Sequence, residues 1–187
     1  MKLIIARHGR TIQNETGIVQ GHLPGNLSPL GIEQAKKLAL RLKNEEIDAI
    51  YSSDLARAYD TAKEIAKFHS KAPFFSVEEL REHDLGSYTG KSYGSFSWDD
   101  RPKEIESKKS MRKRSMALLK KVYSNYSGGT VLFVAHGGIN KELIRGILDE
   151  SDDFFLDRIE NTAISVFDIN EKENKILLMN CIKHLES

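Results

Sequence analysis

Two short apolar runs, far apart in the chain, both end in histidine followed by glycine. The first is Leu3-Ile4-Ile5-Ala6, continuing into Arg7-His8-Gly9-Arg10-Thr11. The second is Val131-Leu132-Phe133-Val134-Ala135, continuing into His136-Gly137-Gly138. Apolar runs this short are far from membrane-span length and read as buried strands. As strands of one sheet, they would carry two imidazoles to the same edge, and ligands of open α/β sheets bind outside the carboxyl ends of the strands. Gly9 reads as a position where backbone comes close to a ligand.

The rest of the pattern supplies the sheet and its cover. Thr11 to Asn26 is polar, carries Gly17, Gly21, Pro24 and Gly25, and reads as a loop able to close over His8. Ser28-Pro29 opens a helix as N-cap and first helical residue, with Ile32, Ala35, Leu38, Ala39 and Leu42 as its apolar stripe. Asp48 to Ser52 reads as a strand. A helix from near Ser53-Asp54 follows, with Leu55, Ala58, Ala62, Ile65 and Ala66 inward and Arg57 in its first turn. Phe74 to Leu80 reads as extended, and Ser87 to Asp100, rich in Gly, Ser and aromatic residues, as an irregular insertion. A helix with Met111, Ser115, Leu118 and Val122 inward precedes the second His-Gly strand, and one bearing Ile139, Leu143, Ile144, Ile147 and Leu148 follows it. Ala163–Ile169 and Ile176–Ile182, separated by polar residues, read as an antiparallel hairpin. The expected fold is an α/β three-layer sandwich: a mostly parallel central sheet, helices on both faces, and a C-terminal antiparallel hairpin.

A length of 187 residues suits one domain, 1–187, with a small insertion at about 87–108. The formal net charge of +1 gives no global pull toward nucleic acid or membrane, and neither is expected as a partner. The basic run Lys108-Lys109, Arg112-Lys113-Arg114, Lys120-Lys121 has no interleaved aromatic residues. It reads as the solvated side of a helix rather than a nucleic-acid patch. Cys181 is the one cysteine, which excludes an intramolecular disulfide and a multi-cysteine metal site, and its apolar run predicts a buried, inert thiol. Arg7 and His8 interrupt any signal-peptide core, so the cytoplasm is the expected location.

The chemistry at the two strand ends is anionic. A divalent metal would be repelled by Arg7 beside His8, and no His-x-x-x-His pair or cysteine cluster is present, so no metal is expected. The planar fork of Arg7 suits phosphate oxygens, Arg57 at a helix start adds a second fork and the positive end of a helix dipole, and His136 adds a further donor. Such a set of groups points to phosphate and to phosphoryl transfer on histidine.

These residues carry a resemblance to the histidine phosphatase superfamily, also called the phosphoglycerate mutase-like family. Its Arg-His-Gly-x-Thr-x-x-Asn signature stands at Arg7 to Asn14. The later segments stand at Leu27–Ala35, at Tyr51–Ala58 with Thr61-Ala62, at Leu80-Arg81-Glu82 with the Gly86 and Gly90 spacing, at Glu106-Ser107 with Arg114, and at Val134–Gly138. The resemblance implies a branch 1 type phosphatase in which His8 is the nucleophile that becomes phosphohistidine. It implies Arg7, Arg57 and His136 on the phosphoryl oxygens, with Asn14, Gln20, Gly21 and Gly137 beside them as substrate-binding residues. Glu82 is implied as the proton donor to the leaving oxygen and then the base for water, with Glu78, Glu79 and Asp84 close by in sequence.

Arg10 stands where the family usually has an acid, Pro24 where it often has Asp, and His83-Asp84-Leu85 where mutases carry Arg-His-Tyr. Hydrolysis of a small phosphorylated metabolite, with no cofactor, is therefore expected. A cofactor-dependent phosphoglycerate mutase, primed by 2,3-bisphosphoglycerate, is the first alternative, and a catalytically silent phosphate- or RNA-binding protein is the second. Trp98, Tyr88, Tyr93 and Phe96 either line a pocket or seal the insertion, and the sequence does not choose between these. Oligomeric state is not legible in it.

Overall fold

The computed structural model of the chain describes residues 1–149 and 158–186, and every candidate site residue lies within them. Six strands form one sheet: β1 (Lys2–Arg7), β2 (Ala49–Ser53), β3 (Phe74–Val77), β4 (Thr130–Ala135), β5 (Ile164–Asp168) and β6 (Lys175–Cys181), in the order β3-β2-β4-β1-β5-β6. The first four run parallel; β5 is antiparallel to β1 and pairs with β6 as an antiparallel hairpin. This is the expected sandwich.

Burial on both faces explains the unbroken apolar character of β1 and β4. Side chains alternate across a strand, so Leu3 and Ile5 join Val131 and Phe133 in one core cluster. That cluster is covered by α4 (Lys108–Tyr126) and α5 (Gly137–Leu148) through Met111, Leu118, Ile139 and Leu143. Ile4 and Ala6 join Leu132 and Val134 on the other face, beneath α2 (Pro29–Leu42) and α3 (Ala56–Ala66), which contribute Leu38, Ala39, Ala62 and Ile65. Ser28 caps α2 by accepting from the Gly31 N–H at 3.2 Å, with Pro29 in the first turn, as the sequence predicts.

The structure corrects several local expectations. The polar stretch after β1 is not all loop. Thr11 caps a five-residue helix, α1 (Ile12–Thr16), in which Thr11 and Asn14 satisfy each other's backbone N–H groups, and Gly17 closes it in the left-handed conformation. Ile32 lies on the solvent side of α2, 42% exposed, because Gly31 and Ala35 take the inward positions. The third helix begins at Ala56, not Ser53-Asp54, since Ser53 still pairs in β2. Extended structure ends at Val77, and Glu78–Leu80 turn as a single 3₁₀ turn that buries Leu80. Cys181 is half-buried rather than buried, and Ile176 and Leu177 of the same run are exposed, because β6 is a sheet edge.

The basic run is only partly a solvated face. Arg112 is turned onto the buried carboxylate of Glu142, and Arg114 onto Glu106. Among the described residues, no helix is long and apolar enough to cross a membrane.

Candidate active site

Parallel pairing of the two central strands sets Arg7 opposite Ala135, and the His8 N–H donates to the Ala135 carbonyl at 3.0 Å. The next residues, His8 and His136, therefore meet beyond the carboxyl ends of β1 and β4, with ring centroids 5.1 Å apart. Both are buried. Gly9 also makes a close approach within the protein: a Cβ there would lie 2.4 Å from the Gly31 carbonyl oxygen, at the start of α2. Thr61 locks the same turn from α3, accepting from the Gly9 N–H at 3.0 Å and donating to the Arg57 carbonyl at 2.7 Å.

The two imidazoles are held in opposite tautomers. His8 Nδ1 lies 2.7 Å from the Gly9 carbonyl oxygen, which can only accept, so Nδ1 carries the proton and Nε2 keeps its lone pair. Arg57 Nε donates to His136 Nδ1 at 3.1 Å, so the neutral His136 carries its proton on Nε2. That buried Nε2 has no partner among the described residues. Burial first, then the guanidinium of Arg57, holds both rings well below the ordinary imidazole pKa, with Arg7 adding to the effect, so both are neutral near pH 7.

Arg57 is 1% exposed, and burial brings its pKa down to about 10, which still leaves it charged. Its other N–H groups reach the carbonyls of Leu23 at 2.5 Å, Pro24 at 3.1 Å and Gly21 at 2.9 Å. This side chain therefore fixes both the His136 ring and the loop that the sequence placed over His8. Arg7 donates to the Ile159 carbonyl at 2.6 Å, while its buried Nε has no partner.

Glu82 reaches the same place from the segment after β3. Its Oε2 accepts from the Gly138 N–H at 3.0 Å, and its Oε1 from the Ile139 N–H at 3.1 Å and its neighbour's N–H at 2.8 Å. The carboxylate thus sits on the positive end of α5. Gly138 is required there, because a Cβ would lie 2.4 Å from Glu82 Oε1. Arg114 holds the segment behind Glu82 by donating to the carbonyls of Glu79, Arg81 and Glu82 at 2.8, 2.7 and 3.0 Å while pairing with Glu106.

A cavity of about 380 Å³ gathers Arg7, His8, Asn14, Gln20, Gly21, Arg57 and Glu82 on its walls. His136 is buried beside His8 and does not line this cavity, and Gly137 lines an adjoining cavity of about 430 Å³ that shares Arg7, Asn14 and Glu82. Asn14 serves first as the cap partner of Thr11, and Gln20 is buried with an unpartnered Oε1. A wider cavity of about 650 Å³ is lined by four acids, Glu78, Glu79, Asp84 and Glu106, with Arg81 and Arg114, both already paired with carboxylates, so it suits phosphate poorly.

The insertion does two jobs. Tyr88 and Phe96 stack at 4.0 Å and seal it against Val19, Leu85 and Ile105, whereas Tyr93 and Trp98 line the cavity beside His8. Backbone bonds between Val19 and both Gly90 and Lys91, and from Tyr93 to Gly17, staple the insertion to the loop after α1.

Site residues that the sequence reading did not assign are Thr61, Tyr93, Lys141, Arg158 and Asn161; the last donates to the His8 carbonyl at 3.0 Å. Lys141 was detectable, since it follows Gly137 by one helical turn and shares its face. Among the described residues, no group of three His, Cys, Asp or Glu side chains could hold a metal ion.

The chain is similar to named phosphatases along nearly its whole length. It is 30% identical over 202 residues to a metal-independent phosphoserine phosphatase of Arabidopsis thaliana, covering 100% of this chain and 84% of that one. It is 32% identical over 200 residues to phosphoserine phosphatase 1 of Hydrogenobacter thermophilus, covering 99% and 94%. Phosphoserine phosphatase from Entamoeba histolytica, solved in complex with 3-phosphoglyceric acid, superposes with a TM-score of 0.85 at 30% identity over 98% of both chains. The sequence profile of the histidine phosphatase superfamily, branch 1, matches residues 3–182, and the chain belongs to that family.

Proposed function

We propose that this protein hydrolyses small phosphomonoesters through a phosphohistidine formed on His8, without a metal or other cofactor. The observation that carries the reading is the opposed pair of tautomers: a buried lone pair on His8 Nε2 beside a buried, unpartnered N–H on His136. A neutral imidazole with its other nitrogen fixed is a nucleophile, and a donor with no acceptor awaits an anionic oxygen. The names of the relatives support a phosphatase.

In the first step the His8 Nε2 lone pair forms a bond to phosphorus as the ester P–O bond breaks in line. Arg7, Arg57 and the His136 N–H take up charge on the phosphoryl oxygens, and Glu82 gives a proton to the departing oxygen. In the second step water attacks phosphorus, the P–N bond breaks back to His8, and Glu82 receives the water proton. A dispersed transition-state charge is stabilised chiefly by such preorganised donors. The same reading places the enzyme in the cytoplasm as a single domain, with a small phosphorylated substrate as its partner and no nucleic acid.

Quenching a reaction with ³²P-labelled phosphomonoester should trap an acid-labile, alkali-stable phosphoprotein, absent in His8→Ala, with activity untouched by exhaustive chelation. Label retained in His8→Ala overturns the nucleophile. Recovery of activity that depends on added metal overturns the metal-free reading. Rapid formation of 2-phosphoglycerate from 3-phosphoglycerate with little free phosphate would make the protein a mutase instead, and phosphate binding with no turnover would make it a silent member of the fold.

A further inference from the structure

A free glutamate side chain samples several rotamers, so a proton donor at Glu82 has to be held in place. Its carboxylate is aimed by three N–H groups, those of Gly138, Ile139 and His83. The first two belong to α5. The third belongs to the peptide unit that joins Glu82 to His83, and the other end of that planar unit is the Glu82 carbonyl. Whatever fixes this carbonyl therefore also aims the N–H that donates to Glu82 Oε1 at 2.8 Å.

Two side chains donate to the Glu82 carbonyl, one for each of its lone pairs. Arg114 does so from α4 at 3.0 Å. His22 does so from the loop after α1, through Nε2 at 2.9 Å. A carbonyl oxygen only accepts, so His22 Nε2 carries the proton. The half-buried ring projects from a pinned backbone. Arg57 holds the carbonyls on either side of it, Gly21 at 2.9 Å and Leu23 at 2.5 Å, and the Leu23 N–H turns back onto the Gln20 carbonyl at 2.8 Å. His22 lines the acid-rich cavity of about 650 Å³ and not the one that contains His8, so it acts on the reaction through Glu82.

We propose that His22 is a positioning residue for Glu82: it ties the Glu82–His83 peptide, and with it the carboxyl group, to the loop that Arg57 fastens to the phosphoryl site. The inference rests on the hydrolase reading above for its kinetic form, although the link itself can be read by spectroscopy. One continuous set of hydrogen bonds then runs from His136 through Arg57, the loop and His22 to Glu82. The groups that hold the phosphoryl oxygens and the group that protonates the leaving oxygen keep their register through it.

The test compares His22→Ala, which removes the donor, with His22→Gln, whose side-chain amide nitrogen can reach the same carbonyl. Rapid quenching measures ³²P transfer to the enzyme from glycerol 3-phosphate, whose alkoxide needs a proton as it leaves, and from p-nitrophenyl phosphate, whose anion hardly needs one. The ratio of the two rates does not depend on how much of a preparation is folded. His22→Ala should lower that alkyl-to-aryl ratio about tenfold, the scale of one hydrogen bond and at the low end of what a general acid contributes. His22→Gln should restore most of it. An unchanged ratio in His22→Ala overturns the proposal, and so does a fall that His22→Gln leaves in place.

If no phosphoenzyme forms, or if Glu82→Gln slows both substrates equally, the hydrolase reading or its proton donor fails separately. The amide proton of His83 then decides the link. Its resonance should move upfield in His22→Ala, as the N–H loses its aim at Glu82 Oε1, and return in His22→Gln. A His83 amide unmoved by His22→Ala overturns the positioning role.

Discussion

Replacing Arg57 with lysine keeps the charge and removes the frame. Four of the five guanidinium N–H groups are committed, one to His136 Nδ1 and three to the carbonyls of Gly21, Leu23 and Pro24, which leaves one on Nη2 for a phosphoryl oxygen. A lysine ammonium is a point donor that cannot span these partners together. The substitution therefore removes the remaining donor to the phosphoryl group and also frees the His136 tautomer.

Loss of one preorganised transition-state donor costs about 2.7–4 kcal/mol, or 10²–10³ in turnover. Loss of the His136 donor in a fraction of molecules pushes Arg57→Lys toward the upper end. Rapid-mixing bursts of p-nitrophenol from p-nitrophenyl phosphate measure the phosphorylation step, and ¹⁵N shifts of the imidazoles report which His136 nitrogen carries the proton. The native protein should show protonated Nε2, and Arg57→Lys a mixture of the two tautomers. A burst rate within tenfold of native, with His136 still protonated only on Nε2, would refute the reasoning.

Gly138→Ala puts a Cβ where Glu82 Oε1 now lies, 2.4 Å away, and should evict the carboxylate. Hydrolysis of alkyl phosphates should then fall by about 10²–10⁴, the worth of general acid catalysis, and that of p-nitrophenyl phosphate much less. The melting temperature should hold or fall modestly, since the helix propensity gained from alanine is offset by the bonds lost from the Gly138 and Ile139 N–H groups; equal losses on both substrates would sink the role given to Glu82. Stability should also decline on acidification. His8 and His136 bind protons in the unfolded chain around their ordinary value of 6.5 but stay neutral in the fold to well below it. The unfolded state therefore gains protons first, and stability falls as pH drops through and below about 6.5, by up to ~1.4 kcal/mol per pH unit for each ring, and is insensitive to them above that. Thermal melts at pH 8 and pH 5 should lie closer together in His8→Ala than in the native protein, and an unchanged gap would refute this.

What the sequence showed and what it hid divide along a physical line. His8 and His136 were legible because each ends an apolar run, which reads as a central strand buried on both faces, and parallel pairing of the two brings their ends together. Arg57 was legible as a candidate for phosphate but not as the residue that sets the His136 tautomer, because that contact joins α3 to a distant strand end. α1 was missed because its stability comes from one reciprocal cap between Thr11 and Asn14 rather than from an apolar stripe, with no buried residue of its own. Arg112 looked solvated because charge usually is, and only the burial of Glu142 against it on α5 turns it inward. The insertion resisted reading for the same reason: Tyr88 and Tyr93 are chemically alike, and only the packing of Phe96 sends one into a seal and leaves the other at the cavity.

The pairing of β1 with β4 has a consequence for how activity arises during folding. Arg7 and Ala135 lie far apart in sequence, and two further residues that hold the His8 turn, Asn161 and Thr162, come later still. His8 sits near the start of the chain, yet its turn is complete only when the chain has brought in Ala135, Asn161 and Thr162. Contacts of such high sequence separation form slowly, because the loop entropy is lost before the contact is gained. Partly folded states of the full chain would hold every imidazole and guanidinium of the site without their native geometry. Catalysis is thus a sensitive reporter of native register: a refolding experiment followed by turnover should lag one followed by helix content.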